Sequence, residues 1–241
     1  MGDAAAEAVL FDFSGTLMRV EPAASWLRAG LERVGVRLPA GETGRLAAAL
    51  DAAGALPGGR APDVVPPGLA GLWAVRDRDA DSHRAVYTAL ARRVPLPQPQ
   101  SGPDVYDVLY DRHREPAAWQ PYPDAADVLR GLRERGVPVA VVSNIGWDVR
   151  PVFRAHGLDE FVDAYVLSFE HGVQKPAPGI FAMACDALGV PPMRALMVGD
   201  DRRADGGAAA LGCAVHFVEH LPVERRPDGL RPVLSPARGG R

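Results

Sequence analysis

AVLFDFSGTL, residues 8–17, runs from four apolar residues into Asp12, then Phe13, Ser14, Gly15 and Thr16. Apolar residues without alternation mark a strand buried on both faces, so Asp12 falls where the strand surfaces and its carboxylate can meet a ligand. Gly15 permits a sharp turn with close backbone approach, and the Thr16 hydroxyl can bond back to hold it. Alone, the stretch fits a plain strand and turn equally well. The rest of the chain has to decide.

From Tyr122 onward helix and strand patterns alternate. PDAADVLRGLRERG reads as an amphipathic helix with Val128, Leu129 and Leu132 inward, VPVAVVSN as a buried strand and DVRPVFRAHG as a helix. Ala164 to Leu167 read as a short strand, PGIFAMACDALG as a helix, RALMVGDD as a strand, the segment from Arg203 to Gly212 as a helix and CAVHFVE as a last strand. Such alternation implies an α/β fold: a parallel sheet wound on both sides, with ligands bound beyond the carboxyl ends of the strands.

Between the two parts lie about a hundred residues, 18–118, with helical patterns and no clear strand. Helices are expected in PAASWLRAGLERVG, in ETGRLAAALDAAG, from Asp79 in DADSHRAVYTALARR and from Pro103 in PDVYDVLYDRH, with a Gly- and Pro-rich loop over residues 55–68. His83 and His113 lack metal-ligand partners at useful spacing and are expected on solvated helix faces. The expected division is an α/β core of residues 1–17 and 119–221, an inserted helical domain of residues 18–118 and a loosely held tail of residues 222–241.

At 241 residues and 47% hydrophobic composition the chain can bury a substantial core. A net charge of −3, with arginines scattered among acidic residues, gives no footprint for nucleic acid. No signal-peptide pattern or membrane-length apolar run is present, and Cys185 and Cys213 sit in apolar surroundings as small buried thiols, so a cytoplasmic protein is expected, monomeric or homodimeric. Of the 27 basic residues all are Arg except Lys175. A chain so biased keeps a lysine where a compact point charge on a thin stem is needed and a planar guanidinium would not fit.

The polar residues that follow each buried strand are Asp12, then Ser143 and Asn144, then Glu170 to Lys175, then Asp200 and Asp201 with Asp205 beyond. At one sheet edge they suit a phosphate and a divalent metal. Asp12 and Asp200 offer hard oxygen ligands for Mg2+, Ser143 and the amides opening the next helix can hold phosphate oxygens, and Lys175 can neutralise charge while Asp12 attacks phosphorus. Singly, Asp205 also reads as a helix cap, Ser143 as a turn residue and Asp201 as a solvated charge.

In order and spacing, VLFDFSGTL, VAVVSN, SFEHGVQKPAPGIF and the stretch MVGDDRRADGGAAALG resemble the four motifs of the haloacid dehalogenase (HAD) superfamily, over residues 8–17 and about 120–218. The resemblance implies a Rossmann-like core with a helical cap that chooses the substrate, and a hydrolase acting through Asp12, Ser143 and Lys175. It also implies a metal held by Asp12, the Ser14 carbonyl and Asp200 with Asp205 in support, and phosphate contacts from Gly15, Thr16, Ser143, Asn144 and Lys175. Ser14 departs from the pattern, because phosphatases of the family carry an aspartate there to protonate the leaving oxygen. A missing general acid or base typically costs about 10² to 10⁴ in rate. Three functions are therefore expected in order: a Mg2+-dependent phosphatase of a small phosphorylated metabolite, with Ser14 in place of the acid; a weak or inactive relative that binds a phosphorylated ligand or partner; and a dehalogenase-like hydrolase.

Overall fold

Strand β1 (Ala8–Phe11) is the centre from which the sheet is built, and the computed structural model describes residues 6–234 around it. Parallel neighbours flank it on both sides: β4 (Val139–Ser143), then β5 (Ala164–Leu167) on one, β6 (Ala195–Gly199), then β7 (Ala214–Phe217) on the other. The register sets Phe11 beside Val141 and Val198. Side chains alternate across the sheet. Val9, Phe11, Val139, Val141 and Val198 enter one apolar cluster, while Leu10, Ala140, Val142 and Met197 enter the other. Both faces are dry because helices cover both, which is why β1 reads as an unbroken apolar run. Helix α6 (Ala125–Glu134) packs on the first face, α9 (Pro178–Leu188) on the second.

The chain leaves this sheet after β1 and returns before α6 on a two-stranded antiparallel ribbon, β2 (Met18–Val20) with β3 (Trp119–Pro121). The short β2 was not legible in the sequence. Between the ribbon strands run α1 (Ala23–Arg33), α2 (Glu42–Ala52), α3 (Ala70–Val75), α4 (Ala80–Ala91) and α5 (Val105–His113). Asp79 caps α4 by accepting from the Ser82 amide, and Asp104 caps α5 through the Tyr106 amide. Helix α3 was not anticipated, and the segment Asp205–Leu211 is a 3-10 helix where an α-helix was expected. No described helix is long and apolar enough to cross a membrane, and both cysteines are buried and free.

Two expectations are corrected. His83 and His113 do not face water: they are 2% and 0% exposed. Helices α4 and α5 turn these rings toward each other, and His113 packs edge-on against Trp147, in the loop after β4. His83 Nδ1 meets the Tyr110 hydroxyl at 2.8 Å. Burial pushes His83 down to about 3, helped by Arg76 and Arg114, so the ring is neutral and behaves as an aromatic core residue.

The second correction concerns the segment after Pro222. Residues 222–234 are docked, with Leu230 fully buried and the Leu230 and Arg231 amides both donating to Asp124 Oδ2, at 2.7 and 3.1 Å. Docking of a Pro- and Arg-rich segment follows from partners supplied by distant residues, which composition does not reveal. Residues 235–241 of the expected tail lie outside the described residues. Asp124→Ala strands one buried and one partly buried amide and is expected to cost about 2–3 kcal/mol of stability. Urea unfolding checks this, and a loss under about 0.5 kcal/mol would mean that Asp124 does not anchor the segment.

Candidate active site

Asp12 stands at the carboxyl end of β1, 7% exposed, its amide bonded to the Val198 carbonyl at 2.9 Å. Adjacent β6 ends at Gly199 and delivers Asp200; one turn on, Asp205 folds back beneath it, 0% exposed. The fit is tight enough that a Cβ on Gly199 would lie 2.1 Å from Asp205 Oδ2, so only glycine is accommodated there. Gly15 is constrained likewise: φ is +84°, and a side chain would strike His220 Nδ1 and Asp200 Oδ2.

Lys175, the lone lysine, reaches in from the segment after β5. Its Nζ donates to Asp12 Oδ1 and to Asp205 Oδ1, each at 2.6 Å, and the residue is 3% exposed. Asn144 fixes the lysine's main chain from the end of β4: Asn144 Oδ1 accepts from the Lys175 amide at 2.6 Å, and Nδ2 donates to the Lys175 carbonyl at 2.9 Å. The Asn144 side chain, expected on phosphate, is thus spent on positioning Lys175. Ser143 is buried at the same strand end and lines the cavity. Thr16, also expected on phosphate, is wholly buried and turns its hydroxyl to Asp200 Oδ1 at 3.4 Å.

Electrostatics follow from burial. Desolvation raises the Asp12 carboxyl well above its usual range, with Asp205 and Asp200 adding to the push and Lys175 opposing it. Asp205 is raised by burial against the pull of Lys175. Burial would lift Asp200 too, but the hydrogen bond and charge of His220 outweigh it and hold the carboxyl below its ordinary value. Burial disfavours the charged Lys175, yet the two carboxylates raise it instead.

Oxygen atoms of Asp12, Asp200 and Asp205 lie within 4.8 Å of one another. Two buried carboxylates and the half-buried Asp200 around one ammonium leave negative charge that a hard divalent cation can take, so the donor set fits magnesium. Over these groups opens a cavity of about 560 Å3, whose other walls include Trp73, Arg76 and Tyr87 from the helical excursion, the Gly58 to Ala61 loop, Arg203 and His220. Asp201 is exposed and caps the following turn through the Arg203 and Ala204 amides.

Two residues here escaped the sequence reading. His220 hydrogen-bonds Asp200; it comes just after β7, a partly exposed strand that leaves no uninterrupted buried run to mark its end. Arg76, stacked 3.9 Å over Trp73, comes from a part of the chain with no motif to mark it.

Removing one partner of a buried charge cluster strands the rest. Lys175→Met is expected to cost about 3–5 kcal/mol in metal-free buffer, with Asp12→Asn in that background restoring part of the loss. Urea unfolding of the two variants measures this; a Met variant within about 1 kcal/mol of wild type would contradict the bridging geometry.

Comparison with known proteins places this arrangement. A (S)-2-haloacid dehalogenase 4A from Burkholderia cepacia is 35% identical over 108 residues, 44% of this chain and 45% of that protein. Ribulose-1,5-bisphosphate 5-phosphatase from Halopiger xanaduensis is 37% identical over 92 residues, 37% of this chain and 38% of the relative. Among solved structures, a HAD phosphatase from Thermococcus onnurineus superposes with a TM-score of 0.54 at 24% identity, covering 88% of this chain and 86% of that one, a likeness of fold. The chain spans about half, or less, of the length of the curated relatives it matches. The model of the haloacid dehalogenase-like hydrolases matches residues 6–212, and with that span the chain belongs to this family.

Proposed function

We propose that the protein is a magnesium-dependent phosphatase that acts on a small phosphorylated metabolite by transferring the phosphoryl group to Asp12. The observation that carries the reading is the gathering of Asp200 and Asp205 beside Asp12. Displacing halide from carbon needs a nucleophilic carboxylate and a base for water but no cation. A phosphoryl group carries its own negative charge, and a carboxylate cluster able to hold a cation beside the ammonium answers that need.

In the proposed step an Asp12 oxygen forms a bond to phosphorus while the bond to the leaving oxygen breaks; water then cleaves the acyl phosphate and restores Asp12. Lys175 orients Asp12 and opposes the burial that would neutralise it, and Ser143 faces the phosphoryl oxygens with the Thr16 amide beside it; the Gly15 amide, expected on phosphate, is bonded to the Met18 carbonyl at 2.7 Å instead. Asp12, Asp200 and the Ser14 carbonyl, with Asp205 in support, would hold magnesium, which would supply neutralisation of phosphoryl charge. The Ser14 hydroxyl donates to the Gly58 carbonyl at 3.1 Å. It is committed to the loop over the site and is no acid near neutral pH. Leaving groups stable without a proton, acyl and aryl phosphates, are therefore favoured over alkyl esters.

The cavity suits a small ligand, and Arg76 and Arg203 on its wall suit an anionic one. In the same reading, residues 18–118 form a cap over a core of residues 1–17 and 119–221, and the protein works in the cytoplasm as a monomer or homodimer.

A panel of acyl, aryl and alkyl phosphates with and without magnesium tests the proposal. The expected outcome is metal-dependent phosphate release, at least about 10²-fold faster for acyl and aryl than for alkyl esters and abolished by Asp12→Asn. Metal-independent halide release from a 2-haloacid, without phosphate release, would replace the reading.

Ser14→Asp is expected to raise alkyl-ester hydrolysis by about 10-fold or more by supplying the missing acid. Burst kinetics separate formation of the acyl phosphate from its breakdown. Unchanged rates in a variant that still binds magnesium would show that the absent carboxylate is not limiting.

A further inference from the structure

The family match ends at residue 212, yet the chain goes on to cross the site. After β7, residues 219–234 fold back over the loop that follows β1. His220 lines the cavity and bonds Asp200. The Tyr122 hydroxyl donates to the Leu221 carbonyl at 2.6 Å, and Asp124 holds the far end through two amides. Between these anchors Arg226 points inward, 4% exposed.

Its guanidinium donates to the Gly15 carbonyl at 2.6 Å, to the Thr16 carbonyl and to the Glu219 carbonyl at 3.0 Å, and lies over the Tyr122 ring, 3.2 Å from its centroid. Each of these acceptors is main-chain oxygen, and no ion pair of Arg226 occurs among the described residues. Burying a cation without a carboxylate partner is costly. A purely mechanical tether would not require it. Two of the three carbonyls belong to consecutive residues of the turn after Asp12, and that turn leads straight to the carboxylates: the Thr16 hydroxyl bonds Asp200, and Gly15 packs against both Asp200 and His220.

We propose that the segment 219–234 is a working part of the active site, and that Arg226 is a positioning residue which holds the Gly15 and Thr16 turn, and through it Asp12 and Asp200, in the geometry that an anionic substrate requires. The proposal rests on Asp12 as the reacting group only for its kinetic arm. The geometry of the turn is measurable without turnover.

Arg226→Ala and Arg226→Lys test this. For aryl phosphate, Arg226→Ala is expected to lower kcat roughly 10- to 100-fold, the scale of a small misplacement of reacting groups, with KM changed less than about 3-fold. Free guanidinium at non-denaturing concentration should restore part of the loss, and the lysine variant should fall between. A merely structural residue would lower the folded fraction and leave kcat per folded molecule intact. Amide hydrogen exchange gives the second arm: protection at Gly15, Leu17 and Met18, whose amides bond within the turn, should fall by about 10-fold or more while the β4 amides keep theirs. Unchanged kcat per folded molecule, or protection that is unchanged or lost evenly across the sheet, overturns the proposal. If the alanine variant does not fold, the lysine variant decides by the same two readings. If the wild-type chain hydrolyses no phosphate ester, the phosphatase reading fails and the exchange arm alone decides this one.

Discussion

A lysine ammonium with 3% exposure, held 2.6 Å from Asp12 and 2.6 Å from Asp205, is the contact on which the rest of the site depends. It joins groups from three places in the chain: the end of β1, the turn after β6 and the segment after β5. Asn144, at the end of β4, fixes the main chain that carries it. Four strand ends are thereby tied by one buried charge. The parallel register makes this possible, since slipping a strand by one residue would move its end group to the opposite face. Buried ion pairs seldom add much net stability. What this one secures is the direction of Asp12, while it opposes the burial that raises the carboxyl.

Ser14 shows how the site differs from the pattern its neighbours follow. The backbone there keeps the turn, with Gly15 at φ +84°, but the side chain bonds the Gly58 carbonyl of the helical excursion instead of carrying an acid. Arg19 adds a second donor to the same carbonyl at 3.4 Å. Gly58 itself has φ +76° and no room for a side chain between Trp119 and Ser14. The position has exchanged proton chemistry for a link between the core and the loop that roofs the cavity. In the proposed reaction that exchange favours substrates whose leaving group needs no proton.

The sheet was legible because its strands are buried on both faces, which leaves an uninterrupted apolar run that a polar residue ends. Asp12, Ser143 and Asp200 sit where such a run stops, Asp205 and Lys175 lie in the segments that follow, and the single lysine among 27 basic residues was visible by composition. Pairwise contacts were not legible. Nothing near His83 or His113 in sequence says that α4 and α5 press those rings together and His113 against Trp147, and nothing near Arg226 announces Gly15 and Thr16, some 210 residues away. The roles of Asn144 and Thr16 show the same limit. Their location at the site could be read from strand ends, but whether each faces ligand or supports a neighbour depends on side-chain direction.

The account stands or falls on what happens at Asp12. Acid quench of the protein during reaction with an acyl phosphate in magnesium, followed by peptide mass spectrometry, reads this directly. The account predicts one phosphoryl group on the peptide that contains Asp12, labile to hydroxylamine as an acyl phosphate is and missing from Asp12→Asn. Phosphate release under the same conditions with Asp12 unmodified, or with the phosphoryl group on another residue, would contradict it.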